Sequence, residues 1–280
     1  GVVTSVLTGT GTLVKSGTGT LVLGANSTLS GGVTINSGTL QLGMGGETGL
    51  IGSGTLTNNS TLAFLYQTGA VMEVKNDLAG TGQMDFRTTT DRVDYTVKFL
   101  GRNFGSGGVM LPDGVKFELS SDAALGEGSP EAVRASVILS GGTLKTLAAP
   151  VVNDARIIKI SHLNDGTGKG GGWFETEANA MMKIAAKIID LDSNGDLIKV
   201  GAGTLVLSNG SNAYTGRTII EEGLLQVGDG ETDGKLGAGT VQFKAADTQL
   251  AVRALGTVDL PMKLTGAGTL VVNGTGTVRL

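Results

Sequence analysis

The residues that most directly suggest a chemical function form a motif similar to part of a calcium-binding loop. The pattern D-x-D-x-N-G occurs at Asp190, Asp192, Asn194 and Gly195. In the first half of a calcium loop, such alternate oxygens converge on a hard cation. The acid that closes such a loop at its last position is missing, because that position holds Gly201. Asp190, Asp192 and Asn194 are thus calcium candidates without a closing ligand, and we expect an exposed polar turn.

A second acidic stretch, residues 228–234, reads GDGETDG and is similar to a glycine-rich calcium-binding turn. It lacks the nine-residue tandem repeat of calcium-binding β-rolls. We expect a solvated loop here. The sequence therefore predicts no metal ion and no cofactor.

Acidic side chains are the groups that cleave polysaccharides, because one carboxyl group donates a proton while another acts as nucleophile or base. Glu175 and Glu177 would share one face of a strand. The densest mixed cluster of charges consists of Asp85, Arg87, Asp91, Arg92 and Asp94. All of these charges can point to water without strain, so we expect an outward face with compensating charges and predict no catalytic residue.

His162 is the only histidine, and any serine-nucleophile mechanism would have to use it. The sequence has no Gly-x-Ser-x-Gly elbow, so we expect a surface or loop histidine. The glycine runs 80–82 and 166–172 lack the Walker spacing of a phosphate loop. We expect 166–172 to be a flexible excursion and Trp173, the sole tryptophan, to cover the core or form part of a contact surface.

Composition narrows the class of protein. The chain has 280 residues with 48 glycines, 4 prolines, no cysteine and a net charge of −4. The acidic balance and the lack of a Lys/Arg stripe argue against nucleic-acid binding. No segment approaches the ~18 apolar residues that a membrane-spanning helix needs. Without disulfides, stability must come from burial and backbone hydrogen bonds.

The strongest signal is a passage that occurs twice. Residues 17–43 read GTGTLVLGANSTLSGGVTINSGTLQLG, and residues 201–228 read GAGTLVLSNGSNAYTGRTIIEEGLLQVG. Gly203 follows Gly19 by 184 positions, and the closing Gly228 follows Gly43 by 185, so one residue is inserted between them. A recurrence this long predicts a repeat architecture. Related segments lie near 9–56 and 195–241, and a truncated third copy lies at 264–280.

Short strands explain the repeated pattern. Each glycine turn is followed by alternating β-branched and aliphatic residues, as in residues 204–207 (TLVL). For residues 178–189 we favour two short strands over helical turns. Without a hairpin dipeptide between every pair of strands, the pattern favours coils stacked in parallel. We predict an all-β fold, a single continuous right-handed parallel β-helix over residues 1–280 with an aliphatic interior.

Both passages resemble a known repeat. Residues 201–228 closely resemble the autotransporter-associated β-strand repeat of bacterial type V secretion passengers. Residues 17–43 match well apart from Leu29 in the place of the usual tyrosine, and residues 173–179 (WFETEAN) are similar to the segment that often precedes the repeat. The resemblance implies a secreted, cell-surface β-helical passenger, associated with the outer membrane through a region outside these residues. It specifies the repeat and no biochemical activity.

Three functions are compatible with these observations. The favoured one is a non-catalytic surface or extracellular passenger that serves display or adhesion, with host or cell-surface ligands as partners. The second is an extracellular fibre subunit that assembles head to tail with copies of itself, because coil ends offer unpaired strand edges. The third is a polysaccharide-binding or polysaccharide-degrading β-helix.

Overall fold

The computed structural model describes residues 1–88, 94–103, 105, 107–126, 136–164, 167 and 169–280. It divides into two compact units. The first comprises Gly1–Glu118 and Ala123–Val137, and the second comprises Leu119–Asp122 and Ile138–Leu280. A short 3₁₀ helix at Asp122–Leu125 interrupts the strands, and no α-helix occurs among the described residues.

The first unit has three main parallel sheets and one strand pair. The first sheet is formed, in spatial order, by Val2–Val3, Thr20–Leu23, Thr39–Gly46, Thr61–Tyr66, Gln83–Arg87 and Val109–Pro112. The second is formed by Val71–Val74, Tyr95–Phe99 and Val115–Glu118. The third is formed by Leu78–Ala79, Leu56–Asn58, Val33–Ile35 and Leu13–Lys15, and the pair by Thr8–Gly9 and Thr28–Leu29.

The second unit has the same construction. Its first sheet contains Val137–Ser140, Ile157–Ile160 and Lys187–Asp190. Its second contains Thr143–Thr146, Gly172–Thr176, Leu197–Val200, Thr218–Ile220, Val241–Phe243 and Leu264–Gly266. Its third contains Val151–Val152, Met181–Ile184, Thr204–Leu207, Leu224–Val227, Gln249–Ala254 and Thr269–Gly274. Two further pairs are Leu163–Asn164 with Lys169–Gly170, which is antiparallel, and Thr257–Asp259 with Thr277–Arg279.

The register shows how the coils stack in each unit. Leu205 pairs with Met182 of the preceding coil and with Leu225 of the following one, and Leu225 pairs with Leu250. Each coil of about 20 to 25 residues thus adds one strand to each sheet, as a solenoid requires. Leu205, Leu225 and Leu250 are completely buried, since alternate side chains of a strand point to the same face.

These observations confirm the all-β parallel β-helix predicted from the sequence. The interpretation of residues 178–189 as two short strands is also correct, because Met181–Ile184 and Lys187–Asp190 are strands in different sheets. The description of residues 1–280 as a single continuous β-helix stays a prediction.

The interior of the first unit differs from the aliphatic column expected. Phe64 stacks on Phe86 with ring centroids 4.8 Å apart, and Phe99 stacks on Phe117 at 5.5 Å. The two stacks meet edge to face at 6.2 and 6.0 Å. Parallel in-register pairing places Phe86 beside Phe64 of the preceding coil, so the rings stack along the sheet.

A buried lysine closes a corner of the coil in both copies of the repeat. The Lys199 Nζ donates to the carbonyl oxygens of Val200 at 2.9 Å, Gly201 at 2.5 Å and Glu222 at 3.1 Å. Lys15, which precedes it by 184 positions, donates to the carbonyls of residues 16, 17 and 37 at 3.1, 2.6 and 2.9 Å. The two sets of acceptors occupy equivalent positions, so the lysine is a structural element of the repeat.

Burial has an electrostatic cost at this corner. The Lys199 side chain is completely buried, and this burial lowers its pKa to about 8, against the opposing effect of Glu222. Three backbone acceptors match the three donors of an ammonium group. We infer that these three hydrogen bonds stabilise the ammonium group in its buried position.

Replacing this lysine by an apolar residue of similar length tests the role of the corner. We expect Lys199→Met to lower the free energy of unfolding by about 1–3 kcal/mol, because three carbonyls lose their donor. Urea denaturation followed by circular dichroism measures the change. Lys244→Met is the matched control, since Lys244 is exposed, and it should have almost no effect. Equal stability of the two variants would contradict the assignment.

Candidate functional site

The most distinctive feature of the second unit is an excursion at residues 161–171, between strands Ile157–Ile160 and Gly172–Thr176. Within it, Leu163 pairs with Gly170 in antiparallel fashion. Gly171 has a φ of +80° and donates its N–H to the His162 carbonyl at 3.2 Å and to the Ser161 Oγ at 3.0 Å. This positive φ favours glycine, and a Cβ at this position would also displace the end of the Ile198 side chain.

A buried carboxylate fixes the base of the excursion. Asp196 Oδ2 accepts the Leu163 N–H at 2.7 Å and lies 2.9 Å from Nδ1 of His162. Its Oδ1 accepts the backbone N–H of Arg217 at 2.6 Å and the guanidinium Nε at 3.0 Å. The Asp196 backbone also takes part, because its carbonyl accepts the Gly172 N–H at 2.8 Å. One residue therefore ties both ends of the excursion to the next coil.

The charge of Asp196 is stabilised in the folded protein. Burial alone would raise the pKa of this carboxyl group, but hydrogen bonds from Arg217 and from the Leu163 amide lower it below its ordinary value. The Asp196 side chain is only 1% exposed, whereas that of His162 is 56% exposed. The carboxylate is thus an internal anchor, and the imidazole is its solvent-facing neighbour.

Apolar side chains pack on the outer face of the sheet beside this anchor. Leu163, Ile198 and Ile219 form a buried cluster against which the half-buried Trp173 and Val200 pack, and we call these five residues the outer cluster. The Trp173 indole N–H donates to the Gly170 carbonyl at 2.9 Å. Trp173 alternates with Phe174, which is completely buried in the interior. The tryptophan therefore covers an external cluster beneath the excursion.

The outer face around Trp173 and His162 has two kinds of contact group. The indole and its aliphatic neighbours supply apolar area, and the exposed imidazole supplies a hydrogen-bonding edge. An aspartate paired with a histidine also occurs in general-base devices. Here, however, the same carboxylate holds Arg217 and Leu163, and this structural use accounts for its burial.

The calcium candidates hold a turn. Asp190 accepts hydrogen bonds from the Gly195 N–H at 2.8 Å, the Thr215 N–H at 2.9 Å and the Thr215 hydroxyl at 2.7 Å. Asp192 is exposed, and Asn194 has a φ of +53°. Among the described residues, no group of three acidic or histidine side chains has the arrangement of a metal site. Calcium binding at Asp190, Asp192 and Asn194 stays an untested hypothesis.

The acidic pair considered for catalysis is bridged by a lysine. Lys145 Nζ lies 2.7 Å from Glu175 and 2.6 Å from Glu177. Burial lowers the pKa of the Lys145 ammonium group, but its hydrogen bonds to the two glutamates outweigh this effect, so its pKa is raised. The two carboxylates thus compensate the positive charge of Lys145 on the outer face, as predicted from the sequence.

Part of the mixed cluster in the first unit is held by an ion pair and a hydrogen bond. Arg87 Nε lies 2.9 Å from Asp85, and its Nη1 donates to the Gln41 side-chain oxygen at 3.0 Å. Asp91 and Arg92 of this predicted cluster lie outside the described residues, as do Gly166 and Gly168 of the excursion.

The loop at residues 228–234 is organised by an aspartate. Asp229 Oδ1 accepts the N–H groups of Glu231 at 2.8 Å and Thr232 at 2.7 Å, and Oδ2 is paired with Lys183. Burial would raise the pKa of Asp229, but the hydrogen bond from Lys183 and those from the loop amides lower it strongly. Asp229 therefore holds the loop to its own amides and to Lys183, and the expectation of a solvated loop without a metal ion stays a prediction.

Sequence reasoning missed Asp196 and Arg217, although a signal for them exists. In the first copy of the repeat, the equivalent residues are Thr12 and Gly32. An acidic residue and a basic residue thus occur together in the second copy, and both are absent from the first. Such a joint difference predicts contact between them, as found.

Comparison with known proteins agrees with this architecture. The family model for the passenger-associated transport repeat matches residues 13–42 and 197–227. The adhesin BmaC autotransporter of Brucella suis biovar 1 (strain 1330) is 26% identical over 247 residues, which are 87% of this chain and 6% of the adhesin. No solved structure shows a significant match. The predicted resemblance to an autotransporter passenger-like repeat protein is confirmed.

The adhesin is much longer than this chain. The chain corresponds to only 6% of the length of the adhesin, so the activity and partners of a whole protein are proposals. The described residues contain no helix that is long and apolar enough to cross a membrane.

The anchoring role of Asp196 is testable by mutation. We expect Asp196→Ala to lower the free energy of unfolding by about 3–5 kcal/mol, because the Arg217 guanidinium and the Leu163 N–H lose a buried partner. Chemical denaturation measures the loss, and limited proteolysis should show faster cleavage within residues 161–171. Asp192→Ala removes an exposed carboxylate and serves as control. If both variants are as stable as the parent chain, Asp196 is not the anchor.

The lowered pKa of Asp196 also predicts an acid effect. In the unfolded chain this carboxyl group has a pKa of about 3.9, and in the folded protein its pKa is lower. Its contribution to stability is therefore complete above about pH 4 and is lost as the pH falls further. Unfolding free energies measured from pH 7 to pH 2.5 should decline less steeply for Asp196→Asn than for the parent chain. Parallel declines would refute this account.

Proposed function

We propose that this chain is a non-catalytic segment of a bacterial cell-surface passenger that serves adhesion. The observation that carries the proposal is the occurrence of two passenger-associated transport repeats in a parallel β-solenoid with an adhesin autotransporter as relative. A solenoid of this kind contributes stable coils and variable outer faces. Its expected location is the bacterial surface or the extracellular space.

The base of the excursion is the part of the second unit best suited to contact. Binding residues are found most often on loops that a rigid scaffold positions. Asp196 and Arg217 provide that positioning, and the exposed His162 beside the half-buried Trp173 provides mixed polar and apolar contact area. Aromatic residues of this kind are enriched at protein interfaces.

The observed use of the acidic residues supports a non-catalytic role. Glu175 and Glu177 share Lys145, and Asp190 and Asp229 accept hydrogen bonds from turn amides. Each carboxylate group thus has a structural partner. Assembly into fibres, and degradation of polysaccharides, stay alternative predictions from the sequence.

Retention of coated beads on cells tests the adhesive role. Fluorescent beads coated with the purified chain should be retained on cultured epithelial cells well above albumin-coated beads. We expect the double variant His162→Ala, Trp173→Ala to reduce retention by at least threefold, because it removes the exposed contact groups. Lys244→Ala, which changes an exposed residue of the same unit, should not alter it.

Circular dichroism must show that the double variant keeps its β-structure. Retention of the parent chain no higher than that of albumin would overturn the adhesive role. Unchanged retention of the folded double variant would overturn the assignment of the contact surface to Trp173 and His162.

A further inference from the structure

Two grooves lie on the surface, one in each unit, and neither belongs to the excursion. The first groove has a volume of about 280 Å³, and its lining includes Asn26, Thr28, Leu50, Glu73 and Lys75. The second groove has a volume of about 390 Å³, and its lining includes Ala213, Thr215, Lys235, Asp259 and Met262. Both volumes are near the lower end of the range of small-molecule sites, about 300–1,000 Å³.

The two grooves occupy the same place in the internal repeat. Past the inserted residue the copies are offset by 185 positions, so Thr28 corresponds to Ala213 and Leu50 to Lys235. Gly52 of the first groove likewise corresponds to Gly237 of the second. A groove that recurs at one repeat position is a product of the coil geometry and not of a single loop.

A cross-coil hydrogen bond reaches the equivalent carbonyl in each groove. In the first, the Ser27 N–H donates to the Leu50 carbonyl at 2.7 Å. In the second, the side-chain amide of Asn212, the residue equivalent to Ser27, donates to the carbonyl of Lys235, the residue equivalent to Leu50, at 2.8 Å. These bonds restrain part of the lining of each groove, and restraint of a site before binding lowers the entropic cost of binding.

The charges that line the grooves balance. The first contains one carboxylate and one ammonium group, Glu73 and Lys75, whose charged atoms are 3.6 Å apart. The second also contains one of each, Asp259 and Lys235. A polyanion such as a sulfated or uronic-acid polymer would gain no net attraction from either groove. The lining therefore favours an uncharged ligand.

The remaining lining combines small polar groups with an apolar patch. In the first groove, the Asn26 side-chain nitrogen and the Thr28 hydroxyl have no protein partner among the described residues, and both residues are exposed. Leu50 supplies apolar area there, and Pro261 and Met262 supply it in the second groove. A sugar ring presents hydroxyl groups at its edge and C–H groups on its face, which match these two kinds of surface.

We propose that the two grooves are repeated binding sites for neutral oligosaccharides, each large enough for one or two sugar rings. The proposal does not depend on the adhesive role, because binding of free sugar by the purified chain is measured in solution. Two weak sites on one chain would raise the avidity for a polymeric glycan.

Two matched variants block one groove each. Thr28→Trp and Ala213→Trp place an indole at equivalent, exposed positions, and each leaves the other groove as an internal control. Thr68→Trp and Lys244→Trp place the same side chain at exposed positions outside the grooves. The probes are cellotriose, maltotriose and triacetylchitotriose, with trigalacturonate as the anionic comparison, each up to about 10 mM, a range suited to weak sites. Amide chemical shifts in two-dimensional NMR spectra report binding at each groove.

We expect at least one neutral trisaccharide to shift the amides of residues 26–28 and 50–52 and those of residues 212–215 and 235–238. Thr28→Trp should weaken binding at the first groove at least tenfold and leave the second unchanged, and Ala213→Trp should do the reverse. The two control variants should retain both sites. Absence of shifts with all neutral probes, tighter binding of trigalacturonate, or unchanged binding in the folded groove variants would each overturn the proposal.

Discussion

In-register parallel hydrogen bonding between successive coils is the constraint on which the rest of the structure depends. It places each residue beside the equivalent residue of the next coil, about 4.8 Å away. Leu205, Leu225 and Leu250 form one such ladder, and Phe64 and Phe86 form another, with the rings stacked. Because like positions meet, the burial of one coil is completed by its neighbours, and no coil has a core of its own.

The corners are where this arrangement leaves backbone groups without strand partners, and the repeat supplies the same donors in both copies. Lys15 and Lys199 each donate to three carbonyls at equivalent places. The side chain of Gln226 donates to the Gly228 carbonyl, as that of Gln41 does to Gly43. A backbone acceptor that is shielded from water and lacks a donor lowers the stability of the fold. These polar side chains therefore stabilise the repeat, as its buried leucines do.

The two copies of the repeat share their coils but differ in some of the side chains that connect neighbouring coils. Asp196 and Arg217 stand in the place of Thr12 and Gly32, and in the second copy they hold the base of the excursion. The outer cluster, with Trp173, packs beside this anchor. A common coil that carries local additions suits a passenger-like repeat protein, since additions on an outer face do not disturb the stacking.

The sequence by itself determined the strands, the glycine corners and the repeat, because these depend on local alternation and on a spacing that both copies share. It correctly predicted two strands in residues 178–189 and outward, compensated charges at Glu175 and Glu177. Only the tertiary structure determined which residues contact one another across coils. The bond of Lys199 to the Glu222 carbonyl, the bonds of the buried Asp196 to Arg217 and the stack of Phe64 on Phe86 each join residues from different coils. Such contacts depend on the length and register of each coil. Insertions in loops change both, and the alternation of residues within a strand does not reveal them.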